Sequence, residues 1–320
     1  MAQLDELRLC VRVARMYYEW EMKQSEIARQ LGLSQPTVSR LLAEAKTNGI
    51  VRISVTTPQG VYMELEEELV RRFRLRDAIV VDCSSEHDER LIEREIGAAA
   101  AYYVESSLRP NEVIGISSWS ATLVALMDAL HSVPRKGDVR VVQILGGVGD
   151  PSAEVHASRL TSRFADMVGG QAVFLPAPGI VGSPAALQVI LDDVYVREVL
   201  GVFEHVTTAL VGIGAIEPSK LLAASGNVFS QAELDLLRQR GAVGDVLLRF
   251  FDARGRPVLT PLNDRVVSMR LEQLAKVDRS VGVAGGGRKS AAILAALRGG
   301  WINVLITDHF TARRLATQEP

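Results

Sequence analysis

Three segments of this 320-residue chain place glycines beside hydroxyl or charged residues directly after an apolar run. Gly115-Ile116-Ser117-Ser118-Trp119-Ser120-Ala121-Thr122 offers hydroxyls and free amides at the start of a predicted helix, a natural cradle for an anion. Gly146-Gly147-Val148-Gly149-Asp150 follows the apolar run 139–145, and His156 comes soon after it on a predicted helix, within reach of a ligand. Val283-Ala284-Gly285-Gly286-Gly287-Arg288-Lys289-Ser290 runs from strand into helix and adds two cations. The chemistry expected is a phosphate held by amides, hydroxyls and Lys289, with Asp245 available for sugar hydroxyls. Tight-turn glycines of an ordinary α/β fold would leave the same marks.

Several other chemistries fit these residues poorly. Gly282 and Gly287 have the separation of a P-loop, but Arg288 occupies the lysine position and Lys289 comes one residue late. Gly115-Ile116-Ser117-Ser118-Trp119 fails as a nucleophile elbow, because Trp119 stands where the second glycine belongs. Asp192-Asp193 reads as a helix terminus rather than a carboxylate dyad, and His87, His131, His205 and His309 as surface or satisfied polar positions. Trp20 and Trp301 are expected to pack. The chain has two cysteines, Cys10 and Cys83, and no Cys-x-x-Cys pair. Neither a zinc site nor a disulfide framework is expected, and lone thiols fit a reducing cytoplasm.

A fourth segment, QSEIARQLGLSQPTVSRLLA at 24–43, points to nucleic acid. Ile27, Leu31, Val38 and Leu41 would form the core between two crossed helices, and Ala28 keeps their approach close. Gly32 suits a turn with positive φ, and Leu33 plugs the corner. Ser34 caps the second helix, in whose first turn Pro36 is tolerated. That helix would bury Val38, Leu41, Leu42 and Ala45 and present Gln35, Thr37, Ser39 and Arg40 at the half that enters a major groove. Gln and Arg pair with adenine and guanine edges, and Thr and Ser reach bases or phosphates. Lys46 and Arg52 stand where phosphate contacts belong, and a strand over 50–56 would make a wing. The plainer alternative is a helical hairpin within a packed domain.

The elements that must position these residues are legible in outline. Helices are expected over 4–19, 24–31, 35–46 and 62–73. The run Glu64–Glu68 reads as a solvated helix face; Leu65, Leu69 and Phe73 form a stripe that could serve as an oligomer contact, beside a hinge at 57–60. Beyond residue 75, apolar runs at 78–81, 113–117, 139–145, 172–175, 209–213, 281–284 and 304–306 alternate with helical stretches at 89–105, 122–131, 154–167, 230–240, 289–297 and 310–315. Continuous apolar strands alternating with helices predict an α/β fold with a doubly wound parallel sheet. In such a sheet ligands bind at the carboxyl ends of the strands, so the three glycine loops are expected to face one crevice.

Composition sets outer bounds. Hydrophobic residues are 48% of the chain, which supports a large core and excludes a disordered one. Lys plus Arg is 36 against 38 Asp plus Glu, so no general basic coat exists. Residues 1–60 nevertheless hold eight Lys and Arg against six Asp and Glu. Aromatics at 5% argue against a base-stacking single-strand binder. No export signal is expected at Met1–Glu6, and no apolar run is long enough to span a bilayer, so a cytoplasmic protein is expected.

With these residues placed, the chain resembles the SorC-type sugar-binding transcriptional regulators over nearly its whole length. The resemblance is carried by QSEIARQLGLSQPTVSRLL at 24–42, the Ser/Trp loop at 117–122, LPAP at 175–178, GAVGDVLLRFFDARGRP at 241–257 and VAGGGRKSAAILAALRGGWINVLITD at 283–308. It implies a helix-turn-helix head at 1–57, a linker and oligomerisation helix at 58–74, and an effector domain at 75–320 related to sugar-phosphate isomerases and deaminases but without their catalysis. Carried over by position, Ser118, Trp119, Ser120, Thr122, Gly146, Gly147, His156, Asp245 and Lys289, with Gly285 and Gly286 of the third loop, would form the effector site. The implied partners are double-stranded operator DNA, a phosphorylated sugar or polyol, and further copies of the chain in a dimer or tetramer; no cofactor is implied. Leu145, standing before the glycine pair, cannot grip a second phosphate, which favours a monophosphate or an unphosphorylated polyol over a bisphosphate. The rival reading is a sugar-phosphate isomerase or deaminase with an attached helix-turn-helix. That enzyme needs an acid and a base converging on the sugar, and only Asp245 and His156 are candidates.

Overall fold

The computed structural model describes residues 2–51, 58, 60–117, 119–133, 137–147, 151–217 and 229–319, with side chains except at 2–4 and 151–157. The readings made above for Arg52, the 50–56 wing, Ser118 and the His156 side chain fall outside these residues. The chain divides into two compact units, Met1–Pro58 and Gln59–Pro320.

The first unit is three helices, α1 (Ala2–Tyr18), α2 (Gln24–Leu31) and α3 (Gln35–Thr47). Helix α2 stops at Gly32, whose φ of 67° is the left-handed conformation expected of the turn. Ser34 then accepts from the Thr37 amide to start α3. Ile27, Ala28, Val38, Leu41, Leu42 and Ala45 close a core with Cys10, Val13, Ala14 and Met16 of α1. Trp20 corrects the packing expectation: it is 55% exposed, with the Arg15 guanidinium 6.0 Å over its ring.

The second unit contains ten described strands: β1 (Asp77–Val81), β2 (Val113–Ile116), β3 (Arg140–Gln143), β4 (Gln171–Val173), β5 (Thr208–Val211), β6 (Gly214–Ala215), β7 (Ala242–Val246), β8 (Arg249–Asp252), β9 (Arg279–Val283) and β10 (Val304–Asp308). Its helices are α4 (Met63–Phe73), α5 (Glu89–Ser107), α6 (Ala121–Ala129), α7 (Pro151–Met167), α8 (Pro184–Asp192), α9 (Val194–Val202), α10 (Gln231–Gln239), α11 (Leu271–Leu274), α12 (Ser290–Arg298) and α13 (His309–Ala316). The seven apolar runs read from the sequence are the seven strands of one parallel sheet, in the order β1-β10-β9-β5-β2-β3-β4. Every residue of β9 and β10 is buried, as both faces are covered and each face carries its own apolar cluster. From β2 the chain winds outward through β3 to β4; from β5 it winds the opposite way through β9 to β10. The switch point therefore lies between β2 and β5, where open α/β sheets bind ligands.

The antiparallel sheet β6-β7-β8 was not legible as strands. Its β7–β8 hairpin turns on Leu247 and Leu248, at φ 57° and 61°, a conformation that costs a side-chain-bearing residue about 1 kcal/mol or more. Burial of both leucines and a hydrogen bond from the Leu248 amide to Asp245 Oδ2, 3.0 Å, offset that strain. Helices α8 and α9 were also missed as helices, although Asp193 does terminate one and cap the next, accepting from Tyr195 and Val196 amides. On α4, Leu69 is fully buried, and Leu65 and Phe73 pack on the same core. The stripe thus covers the unit's own interior, and an oligomer contact through α4 would have to use its charged face. Glu66 on that face is not merely solvated: it accepts from the Val80 amide at 2.9 Å.

Candidate effector site

At the switch point a cleft opens above the carboxyl ends of β2 and β5. Three strand-to-helix or strand-to-strand connections build one wall: Ser117, Trp119, Ser120 and Ala121 after β2, Gly212 to Glu217 after β5, and Arg288 and Lys289 after β9. The β7–β8 hairpin closes the other side with Asp245, Leu247, Leu248 and Phe250, joined by Leu145 and Phe229. Helix α6 begins at this wall, so its positive end lies at the cleft.

The charged groups are unequal: Lys289 is buried, Asp245 half-buried and Arg288 exposed. Burial pushes the Asp245 carboxyl up to about 6, against a hydrogen bond from Leu248 and the Lys289 charge, which both hold it down. Burial also lowers the Lys289 ammonium, with Glu93 opposing that shift from 3.9 Å. Arg288 leans on Glu89, Nε to Oε1 at 2.8 Å. A carboxyl poised near neutrality and a desolvated cation facing one cleft can grip polyol hydroxyls and an anion together.

The sequence-predicted residues divide sharply. Trp119, Ser120, Asp245 and Lys289 meet in the cleft, and two of the three glycine loops contribute to its wall. Thr122 is fully buried instead; its hydroxyl donates to the Val283 carbonyl at 2.8 Å and pairs with Ser120 Oγ at 2.7 Å, tying the first loop to the end of β9. Gly146 and Gly147 are turned away from the anion role, because their amides donate to the Val267 and Ala177 carbonyls, both at 3.1 Å. The Gly286 amide is likewise taken, by Asp308 Oδ2 at 2.7 Å and Thr311 Oγ1 at 3.0 Å, and a Cβ at Gly285 would collide with Asp308.

Sequence reasoning missed Gly212 and Gly214. A side chain on the first would strike Ser120 Oγ and on the second Asp245 Oδ1, so both glycines let cleft groups approach the backbone. The signal was present as Gly-Ile-Gly directly after an apolar strand. Among the described residues no group of three His, Cys, Asp or Glu could hold a metal ion.

In the first unit, Gln35, Ser39, Arg40 and Lys46 are exposed along α3. Thr37 is half-buried, its hydroxyl 2.7 Å from Ser34 Oγ. Arg40 reaches Glu44 at 3.3 Å, and the Lys46 ammonium sits 5.9 Å over Tyr18.

A family model described as "Putative sugar-binding domain" matches residues 58–317. The chain is 32% identical to the deoxyribonucleoside regulator of Bacillus subtilis, over 97% of its own length and 98% of that protein. It is 31% identical to the sorbitol operon regulator of Klebsiella pneumoniae, over 98% and 99%. The crystal structure of the full-length sorbitol operon regulator SorC from Klebsiella pneumoniae superposes with a TM-score of 0.73 at 30% identity, covering 98% of this chain and 100% of that one. The expected resemblance holds, and the chain belongs to the SorC-type family of sugar-binding transcriptional regulators.

Proposed function

We propose that this regulator reads operator DNA with α3 and is controlled by a phosphorylated sugar or polyol bound in the cleft at the β2/β5 switch point. The observation that carries the effector half is the meeting of Ser120, Trp119, Asp245 and Lys289 in one cleft at the start of α6. Lys289 and the α6 amides take the phosphate, and Asp245 accepts from the sugar hydroxyls. Leu145 adds no charge for a second phosphate.

Residues 1–57 form a helix-turn-helix head in which the exposed Gln35, Ser39 and Arg40 of α3 face the major groove, with Lys46 and Arg52 on phosphates. Thr37 keeps its hydroxyl on Ser34 and contributes to the cap before it contributes to DNA. The Arg40–Glu44 pair is exposed and weak, so it yields to a base edge. Reading both halves of a palindrome takes two heads, hence a dimer or tetramer working in the cytoplasm, where the DNA is.

The test is binding of the full chain to genomic fragments it enriches from its own host. The double substitution Gln35→Ala, Arg40→Ala should weaken the enriched fragment at least tenfold, since each bidentate base contact is worth about 1–3 kcal/mol. Unchanged affinity removes α3 from the interface. The enzyme reading is tested by a sensitive isomerase and deaminase assay on pentose and hexose phosphates; turnover abolished by Asp245→Asn would establish it over the regulator-only account.

A further inference from the structure

The cleft does not end at its ligand-facing wall. Behind Arg288 and Lys289, the Gly286 amide donates to Asp308, a fully buried carboxylate that ends β10 and caps α13 through the Thr311 amide at 2.8 Å. The next residue, His309, is buried, and its ring stacks on Tyr62 with centroids 5.0 Å apart and planes 4° from parallel. The Cys83 amide donates to His309 Nδ1 at 3.3 Å, which makes that nitrogen an acceptor and holds the ring in place. The Tyr62 hydroxyl donates to Asp82 Oδ1 at 2.7 Å, and Arg313, one turn along α13, lies 5.8 Å over the Tyr62 ring. Gly60, at φ 81°, packs so closely on Asp82 that a Cβ there would stand 3.1 Å from its carboxylate.

We infer that Asp308, His309 and Tyr62 are a relay that positions the start of the sheet unit, Gly60 to Tyr62, according to the state of the Gly285–Lys289 loop. The inference rests on the effector reading above and adds how that site is heard at residue 60, beyond which the chain runs into the first unit. Each link is directional. Asp308 holds the loop amide with one oxygen and the α13 start with the other. His309 is the first residue of α13, directly after the capping Asp308, so a displacement of the capped end carries His309 with it. The Tyr62 ring is held by the stacked His309 ring and the nearby Arg313 guanidinium of the same helix and is tethered at its hydroxyl. A ligand that pulls Arg288 and Lys289 inward therefore shifts the ring that fixes the chain at residue 62. By linkage, loosening Tyr62 must loosen the loop to the same degree in free energy.

Hydrogen exchange on the full chain tests this in two arms. Without any ligand, Asp308→Asn should accelerate exchange about fivefold or more both at 283–289 and at 60–66, while 113–116 and 140–143 keep their protection as a check on folding. Tyr62→Phe, which keeps the stack and removes only the tether, should accelerate the same two segments to a smaller extent. With inorganic phosphate as the probe, the wild type should gain protection at both segments, and Tyr62→Phe should gain it at 283–289 alone. Exchange at 60–66 that ignores Asp308→Asn overturns the relay. Protection at 60–66 that survives Tyr62→Phe in full also overturns it. Phosphate failing to protect 283–289 counts against the phosphate reading of the cleft, and the ligand-free arm then still decides the relay.

Discussion

The two ends of the parallel sheet both bury charge, and they do so in opposite ways. At the amino end, Glu112 precedes β2, Thr208 begins β5 and Arg279 begins β9, on three adjacent strands. All three are buried, and their bonds close on themselves: Arg279 donates to Thr208 Oγ1 at 3.0 Å, to the Ser107 carbonyl at 3.0 Å and to Glu112, whose other oxygen accepts from the Arg109 amide at 3.0 Å. At the carboxyl end, Asp245 and Lys289 are desolvated without being joined to each other in an ion pair, and both face an open cleft. A closed network fixes strand order and offers a ligand nothing; an open one stores the capacity to bind. Burial of charge alone does not distinguish them, and the direction in which the polar atoms point does.

The largest effect that could break this contrast is at the closed end. Arg279→Met should cost about 3–5 kcal/mol in chemical denaturation, because it strands a buried carboxylate, and adding Glu112→Gln should recover part of the loss. A cost below about 1 kcal/mol would mean the network is hydrated and no more closed than the cleft. The open end should behave in reverse. The Asp245 carboxyl is raised from 3.8 to about 6, so the unfolded chain releases its proton at lower pH than the folded one. Stability from this group is therefore full below about pH 4 and is lost as pH rises to about 6. Asp245→Asn should remove that slope and gain up to about 2 kcal/mol over wild type above pH 6, a figure reduced for the water that reaches the cleft. A variant less stable than wild type at neutral pH would make Asp245 a structural residue. The smallest effect sharpens the picture of Lys289. Glu93→Gln removes the carboxylate 3.9 Å from its ammonium and should tighten a phosphorylated ligand about two- to fivefold by calorimetric titration. Weaker binding would mean that Glu93 orients the lysine rather than competing for it.

What the sequence disclosed followed from periodicity and local chemistry. Strands of a covered parallel sheet read as apolar runs, so all seven were found, and Gly32 and Ser34 marked the end of α2 and the start of α3. The β7–β8 hairpin escaped because Leu247-Leu248 carries no turn residue; its left-handed backbone is held by burial and by Asp245, neither of which is local information. Glycine loops announced themselves, but a sequence shows a glycine and not the carbonyl its amide will meet. Gly146, Gly147 and Gly286 thus looked like anion ligands while their amides belong to Val267, Ala177 and Asp308. The Glu112–Thr208–Arg279 network joins residues 71, 96 and 167 positions apart, and only the strand order brings them together.

The most direct test of the open-cleft account is a thermal-shift comparison of pentose, hexose and polyol phosphates with their unphosphorylated parents, on wild type and Lys289→Ala. A ligand at about a hundred times its Kd stabilises the fold by about 2.7 kcal/mol, a readily measured rise in Tm. The account predicts a rise that depends on the phosphate in the wild type and disappears in Lys289→Ala, with the unliganded Tm of the variant at or above that of the wild type. A rise of equal size in Lys289→Ala, or one produced by unphosphorylated sugars alone, would contradict it.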